Sequence, residues 1–112
     1  MDDEFGGWLD RQIVDRFVDY AEVAFTQFGD RVTNFITFNE PLTFLGLGYS
    51  DGVHAPGRCS DRSRCSAGDS TTEPYIGAHH VLLAHAKAVQ RYRELKKVSS
   101  IMVGVVEDVL LA

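Results

Sequence analysis

The chain has 112 residues, enough for one small domain with a single core. With 45% apolar residues and scattered charges it reads as globular, not disordered. Its net charge of −5, with no basic run longer than Lys96-Lys97, argues against a nucleic acid partner, and its apolar runs fall far short of the roughly 20 residues that a membrane-spanning helix needs. The acidic opening Met1-Asp2-Asp3-Glu4-Phe5 lacks the apolar segment of a secretory signal peptide.

In chain order, Gly6-Gly7 breaks the opening segment. Over residues 11–28 apolar side chains recur at Ile13/Val14, Phe17, Ala21, Ala24/Phe25 and Phe28, the three-four spacing of an amphipathic helix. Asp15, Arg16, Asp19 and Glu22 cover its wet side. Gly29 is a natural terminator, because glycine enters the left-handed conformation without penalty. A buried strand follows over 32–39. Glycines and Pro56 punctuate residues 42–71, which read as a long loop with a short local turn around Leu45, Leu47 and Tyr49. Thr71 or Thr72 can cap an alanine-rich helix over 73–95, with Pro74 in its first turn. Residues 101–106 read as a second strand. The order helix, strand, loop, helix, strand predicts a parallel βαβ unit and an α/β fold.

Thr37-Phe38-Asn39-Glu40-Pro41 carries the strongest chemical signal. It sets an amide and a carboxyl side by side at the end of the first strand. Beside apolar Phe38, Glu40 is expected in a partly dry setting, which disfavours the charged carboxylate. A neutral carboxylic acid can protonate a departing oxygen, as glycosidic cleavage requires. Pro41 biases Glu40 toward an extended backbone. These five residues also fit a strand that ends in a surface turn with a solvated glutamate. In a parallel β/α barrel, however, catalytic groups stand at the C-terminal ends of strands and in the loops that follow, which is where Asn39-Glu40 falls.

Cys59 and Cys65 are the only cysteines. They fit either two free thiols or a disulfide worth about 2 kcal/mol on the chain-entropy estimate. A structural zinc site wants four ligands, and only His54 lies near in sequence, so no metal is expected. His79, His80 and His85 share one helix without the spacing that sets a metal and its base on one face, and read as packing histidines. Arg58, Asp61, Arg62 and Arg64 read as a solvated mixed-charge loop.

Several ordered segments then point to a family. Phe5-Gly6-Gly7-Trp8-Leu9, Asp19-Tyr20-Ala21-Glu22 and Phe28-Gly29-Asp30-Arg31-Val32 precede the strand. After it come Gly48-Tyr49, Gly52, Ala55-Pro56-Gly57-Arg58-Cys59-Ser60, Cys65, Gly68-Asp69-Ser70, Thr72-Glu73-Pro74-Tyr75, His79-His80 and Leu82-Leu83-Ala84-His85-Ala86. With these motifs at matching spacings, the chain resembles the plant-type β-glucosidases of glycoside hydrolase family 1, from about Asp3 to Val109. The resemblance implies a fragment of a (β/α)8 barrel around its fourth strand, a β-glucoside substrate, no cofactor, and a retaining mechanism with two carboxylates. Glu40 matches the family's general acid/base. Asn39 matches the residue that hydrogen-bonds the sugar 2-hydroxyl. A glutamate at position 40, not a glutamine, fits O-glucosidases better than the thioglucosidase branch. Cys59 and Cys65 match the plant-type loop disulfide, which makes a secreted, plastid or vacuolar setting plausible for full-length relatives.

The departures from the family pattern are equally specific. No Ile/Val-Thr-Glu-Asn-Gly-like segment supplies a nucleophile. The motifs carrying the glucose-binding Gln and His and the late Trp-rich segment are absent too, and Phe35 replaces a usual tryptophan. Asp108 matches a family aspartate, but Leu111 stands where a tryptophan is expected. A barrel typically needs about 250 residues. The expectation is therefore a truncated β-glucosidase relative that is inactive alone. The alternative is a non-catalytic interaction module that pairs open sheet edges with a full-length relative or with itself.

Overall fold

The computed structural model describes residues 6–95 and, as backbone, 103–106. A 3-10 turn, Gly7–Leu9, leads into helix α1, Gln12–Phe28. The Asp10 carboxylate accepts the Gln12 N–H at 2.7 Å, which satisfies one of the donors that a helix start leaves open. Strand β1, Phe35–Asn39, follows, then α2, Pro41–Tyr49, α3, Glu73–Leu95, and strand β2, Val103–Val106. The strands pair in parallel, Phe35 beside Val103 and Asn39 beside Val106, with an irregularity between Ile36 and Phe38. Such a pair needs a crossover connection, and α2, the loop and α3 supply it. No helix among the described residues is long and apolar enough to cross a membrane.

Helices α1 and α3 pack along each other and against β1. One core cluster gathers Ile13, Val14, Phe38, Leu45, Tyr49, Val81 and Ala84, with Trp8, Phe17 and Phe44 at its border. A second joins Ala21, Phe25, Ala88 and Tyr92, and Phe17 and Phe35 pack on it. The α1 stripe thus does what its spacing predicts, up to its last member. Phe28 is half exposed, with the Arg31 guanidinium carbon 5.9 Å from its ring centre. An aromatic face can take a cation at a helix end instead of entering the core. Glu22, expected on the wet side, is half-buried beneath Arg91, whose fork meets both carboxylate oxygens at 2.7 and 2.8 Å.

Four local expectations need correction. Gly29 ends α1 at φ −67, in the right-handed region. The helix end is closed instead by the Arg31 and Val32 N–H groups on the Phe28 carbonyl, both at 2.9 Å, and by Arg31 Nη2 on the Gln27 carbonyl. With the Val32 amide used there, β1 begins at Phe35 and not at residue 32. The stretch 42–71 is not loop throughout, because α2 occupies Pro41–Tyr49. Pro41, Leu45, Gly48 and Tyr49 fall on one buried helical face, and proline fits a first helical turn. Gly48 looked like loop punctuation but is a close approach: a Cβ there would lie 2.8 Å from the Ala55 carbonyl oxygen. Of the expected strand 101–106, residues 103–106 form β2, and 101–102 lie outside the described residues. Asp108 and Leu111 lie outside them as well.

The Tyr92 hydroxyl is buried and finds no hydrogen-bond partner among the described residues. An unsatisfied buried hydroxyl costs about 1–3 kcal/mol, whereas a phenyl ring of the same shape carries no such penalty. Tyr92→Phe is therefore expected to leave stability unchanged or raise it by up to about 1 kcal/mol, read from the urea midpoint at constant m. A comparable loss would show that the hydroxyl has a partner.

Candidate active site

The end of β1 is held from both sides. Phe38 is buried, stacked on Phe17 at 4.4 Å between ring centres and edge-on to Trp8 at 5.5 Å. One residue earlier, Thr37 Oγ1 lies 2.8 Å from His85 Nδ1, which ties the strand to α3. Asn39 is exposed and Glu40 half-buried, so the amide and carboxyl stand together where the strand leaves the core.

Glu40 does not take the extended backbone that Pro41 suggested. Its φ of 49 and ψ of 56 are left-handed, and among the described residues it is the one non-glycine with positive φ. The proline ring penalises a right-handed predecessor, and the chain turns from β1 straight into α2 within this one residue. Left-handed geometry costs an L-residue roughly 1–2 kcal/mol. The Glu40 carbonyl accepts the Phe44 N–H at 3.1 Å, while its side chain caps none of the helix N–H groups. Glu40 thus combines a strained backbone with a carboxyl that is not spent on capping α2.

The segment 50–72 is tightly tied and folds back on the C-terminal end of α2, where the Val53 and His54 N–H groups donate to the Leu47 carbonyl and the Arg58 N–H to the Gly48 carbonyl. Cys59 and Cys65 are disulfide-bonded and buried, with Cα atoms 5.5 Å apart. Gly52, at φ 70, lies so close that a Cβ would collide with Cys65 Sγ. The Ser60 and Ser70 N–H groups donate to each other's hydroxyls at 2.9 and 2.8 Å. Arg62 donates to the carbonyls of Cys59 and Gly68. Arg58 meets Glu73, the first residue of α3, with two parallel bonds of 2.8 and 2.7 Å. The reading of this loop as solvated surface holds for Asp61, Arg62 and Arg64, which are exposed, and is corrected for Arg58, whose half-buried guanidinium is paired with the Glu73 carboxylate. Thr72 stands at the N-cap of α3, its carbonyl accepting the Ile76 N–H at 3.1 Å. Thr71 donates its N–H and hydroxyl to the Asp69 carboxylate, at 2.9 and 2.6 Å, and the Asp69 carbonyl accepts the Glu73 N–H.

His80 and His85 pack as expected, whereas His79 is exposed. His80 Nδ1 lies 2.7 Å from the Trp8 carbonyl oxygen, and His85 serves Thr37. Among the described residues no three His, Cys, Asp or Glu side chains converge as a metal would require.

The Arg58–Glu73 pair carries a pH signature. The guanidinium hydrogen bonds hold the Glu73 carboxyl below its ordinary value, against the opposing effect of burial. A carboxyl whose folded-state pKa is depressed stabilises the fold above its unfolded value, about 4.3, and that contribution is lost as pH falls through the lower folded value. Arg58→Met is therefore expected to cost about 1–2 kcal/mol at pH 7, less than a fully buried pair because the Arg58 side chain is 34% exposed. Denaturant titrations from pH 7 to pH 3 should show this gap from the wild type narrowing below about pH 4.

The sequence matches the profile "Glycosyl hydrolase family 1" over residues 1–111. The chain belongs to that family. It is 60% identical to "Beta-glucosidase 1" of Oryza sativa subsp. japonica over 90 residues, which are 80% of this chain and 17% of the rice protein. It is 54% identical to "Beta-glucosidase 44" of Arabidopsis thaliana over 95 residues, 84% of this chain and 19% of that protein. It thus spans less than a fifth of these curated relatives. Its backbone superposes on the crystal structure of a rice β-glucosidase with a TM-score of 0.91 at 51% identity, covering 96% of this chain and 23% of that one. A fungal β-glucosidase from Humicola insolens, solved with glucose, gives 0.87 at 40% identity over 93% of this chain and 22% of its own.

The strand end, the two long helices and the disulfide were readable from sequence. Helix α2, the Arg58–Glu73 clamp and the left-handed Glu40 were not. The spacing of Pro41, Leu45, Gly48 and Tyr49 is the signal that could have found the first of these.

Proposed function

We propose that this chain is the acid/base-bearing part of a retaining β-glucosidase domain built as a (β/α)8 barrel. Glu40 protonates the departing aglycone oxygen and then deprotonates the water that releases the sugar. Asn39 hydrogen-bonds the sugar 2-hydroxyl, a contact that strengthens as oxocarbenium character develops. The observation that carries this reading is the position of Asn39-Glu40. The pair leaves the C-terminal end of a strand in a parallel pair, braced behind by aromatic packing. One rice structural neighbour, solved as a mutant "in a covalent complex with Glc", supports a covalent route for relatives of this segment.

Retaining hydrolysis also needs a nucleophilic carboxylate about 5 Å from the acid/base. The 112 residues contain no Thr-Glu-Asn-Gly-like segment to provide it. These residues alone are therefore inactive toward β-glucosides. The test replaces the matching segment of rice β-glucosidase 1 with residues 6–106 of this chain. The chimera is expected to hydrolyse an aryl β-glucoside, and the isolated chain is not. A folded but inert chimera, or turnover by the isolated chain, would sink the assignment.

A further inference from the structure

Strand β1 does not alternate as a regular strand would, and the break falls two residues before Asn39. Phe35 packs edge-on to Phe25 of α1, 5.0 Å between ring centres, so it faces the helices. Phe38, three residues on, stacks on Phe17 of the same helix and faces them too. In a regular strand, residues an odd number apart point to opposite faces. The ladder shows how both contacts are met. From Ile36 to Phe38 β1 advances two residues, while β2 advances one, from Gly104 to Val105. Thr37 is therefore the extra residue of a β-bulge, a device that re-aims the side chains beyond it. Without the bulge, an alternation that sets Phe35 against the helices would turn Asn39 toward them as well. With it, Asn39 shares the opposite, exposed face with Ile36.

The extra residue is held from α3. Thr37 Oγ1 lies 2.8 Å from Nδ1 of half-buried His85. Along α3, His85 stands between the two core clusters, after Val81 and Ala84 of the first and before Ala88 and Tyr92 of the second. Sliding β1 by one residue would set Ile36 or Phe38 against the imidazole and part it from the threonine hydroxyl, so this contact favours one register. We infer that His85 is a positioning residue of this site: it pins Thr37 as the extra residue of the bulge, and the bulge turns Asn39 to the open face and delivers Glu40 beyond it. The pinned register stands on the ladder and the contacts alone. Its effect on turnover rests on the roles proposed above for Asn39 and Glu40.

The test is made in the rice β-glucosidase 1 chimera. Thr37→Val removes the hydroxyl and keeps the branched shape, and His85→Phe removes the ring nitrogens and keeps the ring. Each is expected to lower kcat for an aryl β-glucoside by about 10–100-fold, with a smaller change in KM, because a displacement of about 1 Å can cost about 10²-fold in rate. The double variant should lose no more than the worse single one, since both break the same contact. Thr37→Ser keeps a hydroxyl and His85→Asn keeps a polar atom near the place of Nδ1, and each should recover most of the rate. Amide exchange over residues 35–40 should quicken by about tenfold in Thr37→Val and His85→Phe while α1 keeps its protection. Losses that multiply in the double variant, no rescue by the conservative changes, or a lowered Tm with kcat and exchange unchanged would reduce the contact to fold support and overturn the inference. A chimera that is inert before any of these changes overturns the proposed function instead, and the exchange rates then decide the pinned register by themselves.

Discussion

In the chimera with rice β-glucosidase 1, Glu40→Gln is expected to lower kcat/KM by about 10²–10⁴ for a phenyl β-glucoside. A phenolate is a poor leaving group and needs its oxygen protonated as the glycosidic bond breaks. A dinitrophenolate leaves without help, so glycosylation with that aglycone should lose far less. Turnover of the dinitrophenyl glucoside should then stall at the glycosyl intermediate, because no general base activates the incoming water. Added azide, already an anion, needs no base and should restore turnover by forming the β-glucosyl azide. A loss that is equal for both aglycones and insensitive to azide would mean that Glu40 only shapes the site. The backbone gives an independent readout. Glycine accepts φ 49 without the left-handed penalty, so Glu40→Gly is expected to raise stability by about 1 kcal/mol in urea unfolding while it removes activity. That opposition between stability and catalysis is what a residue retained against backbone strain should show.

How much of this was legible in the sequence depended on whether the signal was periodic. Helices α1 and α3 bury faces that recur every three or four residues, and their limits fall within about a residue of expectation. The end of β1 was legible for a similar reason: apolar residues run to Phe38 and polar chemistry begins at Asn39. Helix α2 was masked because its glycines look like loop punctuation, and Gly48 serves a close approach to Ala55 whose neighbour the sequence does not show. Arg58 and Glu73 are fifteen positions apart, joined by a turn that only the folded loop defines. Glu40 was expected in an extended backbone and stands in a left-handed one. The proline after it excludes one backbone region, but the choice among the rest is made by where α2 must begin.

Phe38→Ala is expected to cost about 3–5 kcal/mol, the range for deleting a buried aromatic side chain. Such a loss is a large share of the roughly 5–15 kcal/mol that holds a typical domain together. The reason lies in what surrounds the ring. Phe38 is 6% exposed and sits in an aromatic group with Phe17, Trp8 and Phe44, with centres 4.4, 5.5 and 6.5 Å away. Trp8 is fixed by its own backbone, through its N–H on the Tyr49 hydroxyl and its carbonyl near His80, so it cannot slide far into the vacated space. The cavity would stay open, and the transfer and cavity penalties would add. Phe38→Leu keeps most of the volume and should cost distinctly less. In the glycosidase chimera the same pair separates packing from positioning. Asn39 and Glu40 follow directly on Phe38, and a displacement of about 1 Å at a catalytic group can cost about 10²-fold in rate. Phe38→Ala should therefore lower kcat even at temperatures where the chimera stays folded. A variant that loses stability while keeping full kcat would show that the aromatic cluster supports the fold without setting the aim of the carboxyl.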